Sequence, residues 1–524
     1  MSRMSQSCAY ALMVAVTAAA ATAIHAEVDT GTYTYDGTLP TVTGDTFTET
    51  TIPTWVTDPE KFQGTIWLKN IAVTGFTVNP YGNESSKVKL TNISGWLNAP
   101  NDNSAFTNTV PVELDGTLTI NNGYSANDSC PNRCTVFKKL SGSGAIYTDT
   151  AANKVVIVIQ DASEFTGNIG MDGKLIVFGD TMPSYAANNK FEGMTGSIWV
   201  MEGASVTANP ASGNWWAVGG IKAYGEFRTP SLDKIGGGTY ITTYDSGKVT
   251  LTSTGNGEEN ETDASYARIS GTGTLKYEGT GWRALSTNNF PTAMTVENEQ
   301  AGDLLLSRAV TYTIGSLSGS KNFQGNYGSG DRYLRVLQSK DTEWSGIVIA
   351  DTEYGNRFKG LIVAPGVSTS GTLTLSGTQP QSRPLTVEAG AKVNLTGTWV
   401  GATTVAGTIG GTGAIIGDLT LSDGATLNIP DLTSTLVVTG NLTATTGTIN
   451  VRLPANVDFS HFQTLLRVTG TIDLGSADFA VVSIGDEEVL DPACYSVRKG
   501  VLKKDKANRL FVLANNHGNR IIFR

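Results

Sequence analysis

Along much of this chain apolar and polar side chains alternate one for one. Lys87-Val-Lys-Leu-Thr91, Gly116-Thr-Leu-Thr-Ile120, Lys248-Val-Thr-Leu-Thr252 and Gly371-Thr-Leu-Thr-Leu375 all show it. Successive side chains of a strand point to opposite faces, so a period of two predicts strands with one buried face. From residue 385 the rhythm tightens. Leu385-Thr-Val-Glu-Ala-Gly-Ala-Lys-Val-Asn-Leu395 is followed by Leu419-Thr-Leu-Ser-Asp-Gly-Ala-Thr-Leu-Asn-Ile429, then Leu436-Val-Val-Thr-Gly-Asn-Leu442 and Gly447-Thr-Ile-Asn-Val451. Each predicted strand has about four to six residues, and glycine or Asp-Gly marks the corners. No segment carries the period of an amphipathic helix.

Two motifs recur. The first is an apolar residue, a Ser/Gly/Thr run and a second apolar residue: Leu140-Ser-Gly-Ser-Gly-Ala-Ile146, Ile269-Ser-Gly-Thr-Gly-Thr-Leu275 and Ile409-Gly-Gly-Thr-Gly-Ala-Ile415, with a weaker copy at Leu317-Ser-Gly-Ser320. The second is a bulky residue, any residue, glycine and a strand. It reads Phe62-Gln-Gly-Thr-Ile-Trp-Leu68, Phe165-Thr-Gly-Asn-Ile169, Met194-Thr-Gly-Ser-Ile-Trp-Val200, Trp344-Ser-Gly-Ile-Val-Ile349 and Phe358-Lys-Gly-Leu-Ile-Val363. The motifs also follow one another: Leu140 leads to Asp161-Ala-Ser-Glu-Phe-Thr-Gly, and Leu317 to Asp341-Thr-Glu-Trp-Ser-Gly. Strands this short cannot bury a face alone and must stack on copies of themselves. A β-sandwich or propeller would pair them as hairpins, but two-residue hairpin signals between matched strands are weak here. The expected fold is all-β: a right-handed parallel β-helix (solenoid) with an irregular N-terminal part and a small C-terminal β cap, the hand following the rule for parallel connections.

On these residues the chain resembles proteins with the autotransporter-associated β-strand repeat and, more broadly, autotransporter passenger domains. The likeness lies in Leu140-Ser-Gly-Ser-Gly-Ala-Ile146, Glu164-Phe-Thr-Gly-Asn-Ile169 and the stretch from Val405 to Gly413, and covers about residues 135–475. It implies secretion, a surface or extracellular β-helix and adhesive roles. One departure matters. An autotransporter ends in a membrane barrel whose strands of about ten residues alternate apolar and polar, whereas residues 476–524 end in Asn516-His-Gly-Asn-Arg-Ile-Ile-Phe-Arg524. Self-export through its own barrel is therefore not expected.

The first residues change the picture from fold to destination. Arg3, an alanine-rich apolar run from Ala9 to Ala21 and small residues at Ala23 and Ala26 read as a secretory signal peptide, cleaved after Ala26 with Ala23 as the alternative. Beyond it no apolar run reaches membrane-spanning length, so no transmembrane span is expected. The expected divisions are 1–26 signal peptide, 27–134 N-terminal β-rich region, 135–454 β-helix repeats and 455–524 C-terminal cap. The net charge of −10, from 37 basic and 47 acidic side chains, argues against a nucleic-acid partner. Charged residues make up 16% of the chain, too few for a solvating disordered tail, and the 60 glycines suit tight corners.

Candidate chemistry is sparse. Cys130-Pro-Asn-Arg-Cys134 suits a small disulfide loop in an oxidising compartment. A metal site there would need further ligands, and only His461 and His517 lie beyond the signal, both remote. Cys494 is expected to be unpaired and buried. The carboxylates Asp161, Glu164, Asp341 and Glu343 recur at equivalent places and read as turn acceptors rather than a catalytic pair. Gly410-Gly411-Thr412-Gly413 lacks the helix and Lys-Ser/Thr of a phosphate loop, and no Ser-His arrangement has its base. Trp215 and Trp216 are adjacent, and with Tyr224 and Phe227 they are candidate glycan-contact aromatics. Near the end Arg498, Lys499, Lys503, Lys504, Lys506 and Arg509 form a basic run suited to blocking the last strand edge. The expectation is a secreted or cell-surface, noncatalytic protein with a structural or adhesive role. It needs no cofactor or metal, and its partners are surface glycans or host and matrix proteins. The alternative is a β-helical carbohydrate-active enzyme, a polysaccharide lyase or hydrolase.

Overall fold

The computed structural model describes residues 32–36, 65–70, 87–96, 106–108, 111–120, 135–148, 156–165, 167–170, 175–181, 197–200, 202–203, 205–207, 220–230, 232, 239–252, 257–259, 267–281, 283–285, 292–302, 304–306, 311–325, 331–350, 358–444, 446–459, 463–501 and 508–514. The signal segment 1–26 and the positions Cys130, Cys134, Trp215 and Trp216 lie outside them. The regular secondary structure of the described residues is almost entirely strand, as the alternation predicts, and most of the pairing is parallel. The chain forms two compact units, 1–176 and 177–524.

In the first unit the chain moves back and forth between two sheets. Lys87–Thr91, Val112–Leu114, Thr135–Gly142 and Val156–Phe165 add in turn to one sheet. Ile93–Trp96, Thr117–Ile120, Ala145–Thr148 and Asn168–Gly170 add to the other. Register puts like on like: Val88 on Val112 and Val112 on Leu140, with Leu90 on Leu114. In the second sheet Ile93 sits on Leu118, and Leu118 on Ile146. All of these side chains are buried, each burial being worth about 1.5–3 kcal/mol.

The second unit repeats the scheme with three sheets visited in a fixed order. Leu385–Val387, Lys392–Leu395 and Thr398–Val400 are followed by Thr403–Val405, Thr408–Gly410 and Ala414–Ile416, then by Leu419–Leu421, Thr426–Asn428 and Val437–Val438. Each strand pairs in parallel with its counterpart one round later. The column Val393, Ile409, Leu427, Val451 forms part of the core. Antiparallel pairs occur toward the C-terminus. There Asn508–Ala514 lies between Gln463–Val468 and Tyr495–Val501, and Asp478–Ile484 turns back on Glu487–Glu488.

The register also explains why the two sequence motifs travel together. Gly142 and Gly319 have φ of 97° and 107°, a conformation L side chains rarely adopt. A Cβ there would overlap the carbonyl oxygens of Leu114 and Asn298 in the round before. In the next round Gly142 is paired with Phe165 and Gly319 with Trp344, both buried. The glycine turns the corner and leaves its column empty, and the ring of the second motif fills the space. Trp344 also donates from Nε1 to the Lys321 carbonyl at 2.9 Å and meets Phe323 edge-on, centroids 5.9 Å apart.

One sheet of the second unit ends at Val348–Ala350. The buried side chain of Gln379 stands in for the missing next strand. Its Oε1 accepts from Val348 N–H at 2.8 Å, its Nε2 donates to the Val348 carbonyl at 2.7 Å, and its own backbone N–H donates to the Thr398 carbonyl at 2.8 Å. The amide thus carries the hydrogen-bond ladder from the last strand of one sheet to the first strand of another.

Three outcomes follow for denaturant unfolding. Gly319→Val lowers stability by more than about 3 kcal/mol, because strain and overlap add. Gly203→Ala, at φ 82° but with nothing near its Cβ, lowers it by about 1 kcal/mol. Gln379→Leu costs about 2–6 kcal/mol by leaving two buried backbone groups unpaired.

Candidate functional site

The outward face of the long sheet of the second unit carries a charge network that closes on itself. Arg228 reaches Glu226 at 2.9 Å and Glu278 at 3.3 Å; Lys276 reaches Glu278 at 3.3 Å and Glu297 at 3.4 Å; Lys248 reaches Glu297 at 3.2 Å. Arg228, Lys248 and Lys276 therefore balance Glu226, Glu278 and Glu297. Burial opposes ionisation of Glu226, but the Thr250 hydroxyl, donating at 2.6 Å, and the Arg228 charge together hold its carboxyl below the ordinary value. Part-exposed pairs of this kind add little stability each. Their main effect is to balance these six charges against one another.

The recurrent carboxylates are likewise occupied with the neighbouring round. Asp341 Oδ1 accepts from Thr372 N–H at 2.6 Å, Glu343 Oε1 from the Ser376 hydroxyl at 2.5 Å, and Glu164 pairs with Lys139 at 2.6 Å. Asp418, Asn441 and Thr471 extend the pattern: Asn441 N–H donates to Asp418 Oδ1 at 2.7 Å, and Thr471 N–H donates to Asn441 Oδ1 at 2.9 Å. These side chains splice one corner to the next.

A different surface emerges where the Ile-Trp form of the second motif occurs. In the first unit Trp67 pairs in register with Lys89. Its ring lies under Lys69 Nζ, 3.5 Å from the centroid, and Lys89 Nζ, 4.7 Å away. The indole N–H and the in-register lysine are both answered there. Trp67 Nε1 donates to Thr91 Oγ1 at 3.0 Å, and Lys89 pairs with Glu113 at 3.0 Å and Asp115 at 3.1 Å. Hydrogen bonds from Lys87 and Lys89 outweigh burial and hold the Glu113 carboxyl below its ordinary value.

The second unit has the same register pair, Trp199 on Lys222, with the ammonium 4.5 Å from the indole centroid. Here the answers are missing. Trp199 is 8% exposed, and its Nε1 is buried without a hydrogen-bond partner. Among the described residues no carboxylate pairs with Lys222. Tyr224 sits 6.1 Å from Trp199 and stacks on Tyr244 with centroids 4.5 Å apart and planes 10° apart. Burial, then the neighbouring Tyr244 and Asp245, push the Tyr224 hydroxyl above its ordinary value. On the same sheet Tyr240 is 51% exposed, and the Arg268 guanidinium lies 5.8 Å over its ring. The Lys222 row continues through Thr242 and Ser270, whose hydroxyls are 3.2 Å apart.

Tyr224 thus belongs to a surface cluster, whereas Phe227 is fully buried in the strand Glu226–Thr229, because its position in the alternation points inward. Sequence reasoning missed Trp199, Lys222, Tyr240, Tyr244 and Arg268. The only available signal was the shared Ile-Trp of residues 66–67 and 198–199. Cys494 is half-buried rather than buried: it ends the short turn Pro492–Cys494, is unpaired, and has its thiol raised by burial and by Asp491, whose Oδ2 is 3.5 Å from Sγ. Among the described residues no group of three or more His, Cys, Asp or Glu side chains is placed to hold a metal. No described helix is long and apolar enough to cross a membrane.

No family model, curated protein or solved structure matches the chain.

The Glu113 pair sets a pH dependence. With its folded value below the ordinary 4.5, Glu113 contributes stability that is complete above that value and is lost as pH falls through the depressed one. Thermal unfolding followed between about pH 3 and about pH 7 should show Glu113→Gln less stable than wild type at the upper end, the gap closing toward the lower end.

Proposed function

We propose that this chain is an exported, noncatalytic protein of the bacterial cell surface, a right-handed parallel β-helix that acts as a structural and adhesive module. One observation carries the reading: each strand of residues 385–451 pairs in parallel with its counterpart one round later, so that the same sheets are visited in the same order. A coil adding one strand to each sheet per turn accounts for that order. The resemblance to autotransporter-associated β-strand repeats, and the signal-like segment 1–26, support export.

The outward faces support a binding role more than a reactive one. In the long sheet the charges of Glu226, Arg228, Lys248, Lys276, Glu278 and Glu297 are spent on one another, and the corner carboxylates of Asp341 and Asp418 accept from the backbone of the next round. The aromatic and cationic cluster around Trp199 is the exception, and adhesion through it would engage surface glycans. Protease added to intact native cells, followed by antibody detection, is expected to remove the protein from the cell fraction. A signal protected inside the cell envelope, or found only in the medium, would rule out the display reading.

A further inference from the structure

We propose that Trp199, Lys222, Tyr224 and Tyr244 form a site for an anionic polysaccharide, with Tyr240 and Arg268 extending it along the sheet. The inference rests on the reading of an adhesive outward face and adds the chemical class of the ligand.

The two Ile-Trp copies act as an internal comparison. At Trp67 the indole N–H has Thr91, and Lys89 has two carboxylates. At Trp199 the indole N–H is buried with no acceptor, and Lys222 has, among the described residues, the ring beneath it and no carboxylate. A buried donor left unpaired costs about 1–3 kcal/mol, so a site that keeps one is set up to receive an acceptor. An ammonium with no counter-ion among the described residues, on the same sheet as the Arg268 guanidinium, favours a ligand that brings negative charge. The carboxylate at Asp245 stands at the corner beyond Tyr244.

The remaining groups point to sugar. Tyr224, Tyr244 and Tyr240 present rings with polar tips, a composition suited to the mixed apolar and hydroxylated surface of a pyranose. Thr242 and Ser270 continue the Lys222 row with hydroxyls, one strand at a time. Successive strands are spaced by about 4.8 Å, so an extended chain lying across them would meet an equivalent row at each step. Its carboxylate or sulfate would take the Lys222 ammonium and the Trp199 N–H together, a charge-assisted contact stronger than one between neutral groups.

The test uses the purified full-length chain and titration calorimetry against polygalacturonate as carboxylated probe, dextran sulfate as sulfated probe and dextran as neutral control. At least one anionic probe is expected to bind and dextran to bind far more weakly. Lys222→Met keeps a stem over the indole but removes the charge; it should weaken binding by about tenfold or more and flatten its salt dependence. Tyr244→Ala should also weaken it, while Lys276→Met, in the closed ion network, should leave it unchanged. Binding of neither anionic probe, equal binding of dextran, or an unchanged affinity in Lys222→Met would each overturn the proposal. Circular dichroism and unfolding midpoints of each variant separate loss of the site from loss of the fold. Because binding is measured on purified protein, it fails or succeeds independently of the protease experiment on cells.

Discussion

The constraint on which the rest depends is register between rounds of the chain. A strand of three or four residues has too little apolar surface to stay folded, and it becomes stable only when the next round lays the same kind of residue on each position. Val393, Ile409, Leu427 and Val451 show the inward consequence, a continuous apolar column built from single residues far apart in sequence. The outward consequence is equally strict, since like charges stacked in parallel would repel. Arg228, Thr250, Lys276 and Glu297 occupy one row, and the cations in it reach carboxylates in the same or neighbouring rows.

Stacking also governs the places where the pattern breaks. A corner must bring backbone against backbone, which admits only glycine at Gly142 and Gly319, and the space so created is taken by a ring from the following round. Where a sheet stops, the ladder has to be ended or handed on. Gln379 hands it on with a side-chain amide, and the antiparallel strands within residues 463–514 change the direction of pairing at the C-terminal side. Lys499, in the terminal strand Tyr495–Val501, reaches the Ile472 carbonyl at 3.4 Å, an instance of a basic side chain placed at the last edge.

Against that background an unanswered group stands out. Outward side chains of the described residues mostly serve the stack: they pair, splice corners or cover rings. The Trp199 cluster uses the same Trp-on-Lys register as Trp67 yet leaves its donor and its charge without hydrogen-bond or ion-pair partners among the described residues. The difference comes from the neighbours supplied by the adjacent rounds. Thr91, Glu113 and Asp115 surround Trp67, whereas Tyr224, Tyr244 and Thr242 surround Trp199 and Lys222.

The sequence by itself determined the elements. Period-two alternation is a local property of a few residues, and it located strands such as Lys87–Thr91, Lys248–Leu251 and Thr372–Leu375. The pairing of Leu140-Ser-Gly with a later Phe-Thr-Gly was legible too, although its cause, a ring filling a glycine's column, was not. What only the tertiary structure decided is who stands above whom. Rounds differ in length, so one cannot count from Trp199 to Lys222, from Gln379 to Val348 or from Trp67 to Thr91. Phe227 and Tyr224 lie three apart in sequence, yet one is core and the other surface, because the strand and its corner face different ways. A binding cluster assembled from four successive rounds has no contiguous signature, since its residues meet only through the backbone pairing of strands that the local sequence does not specify.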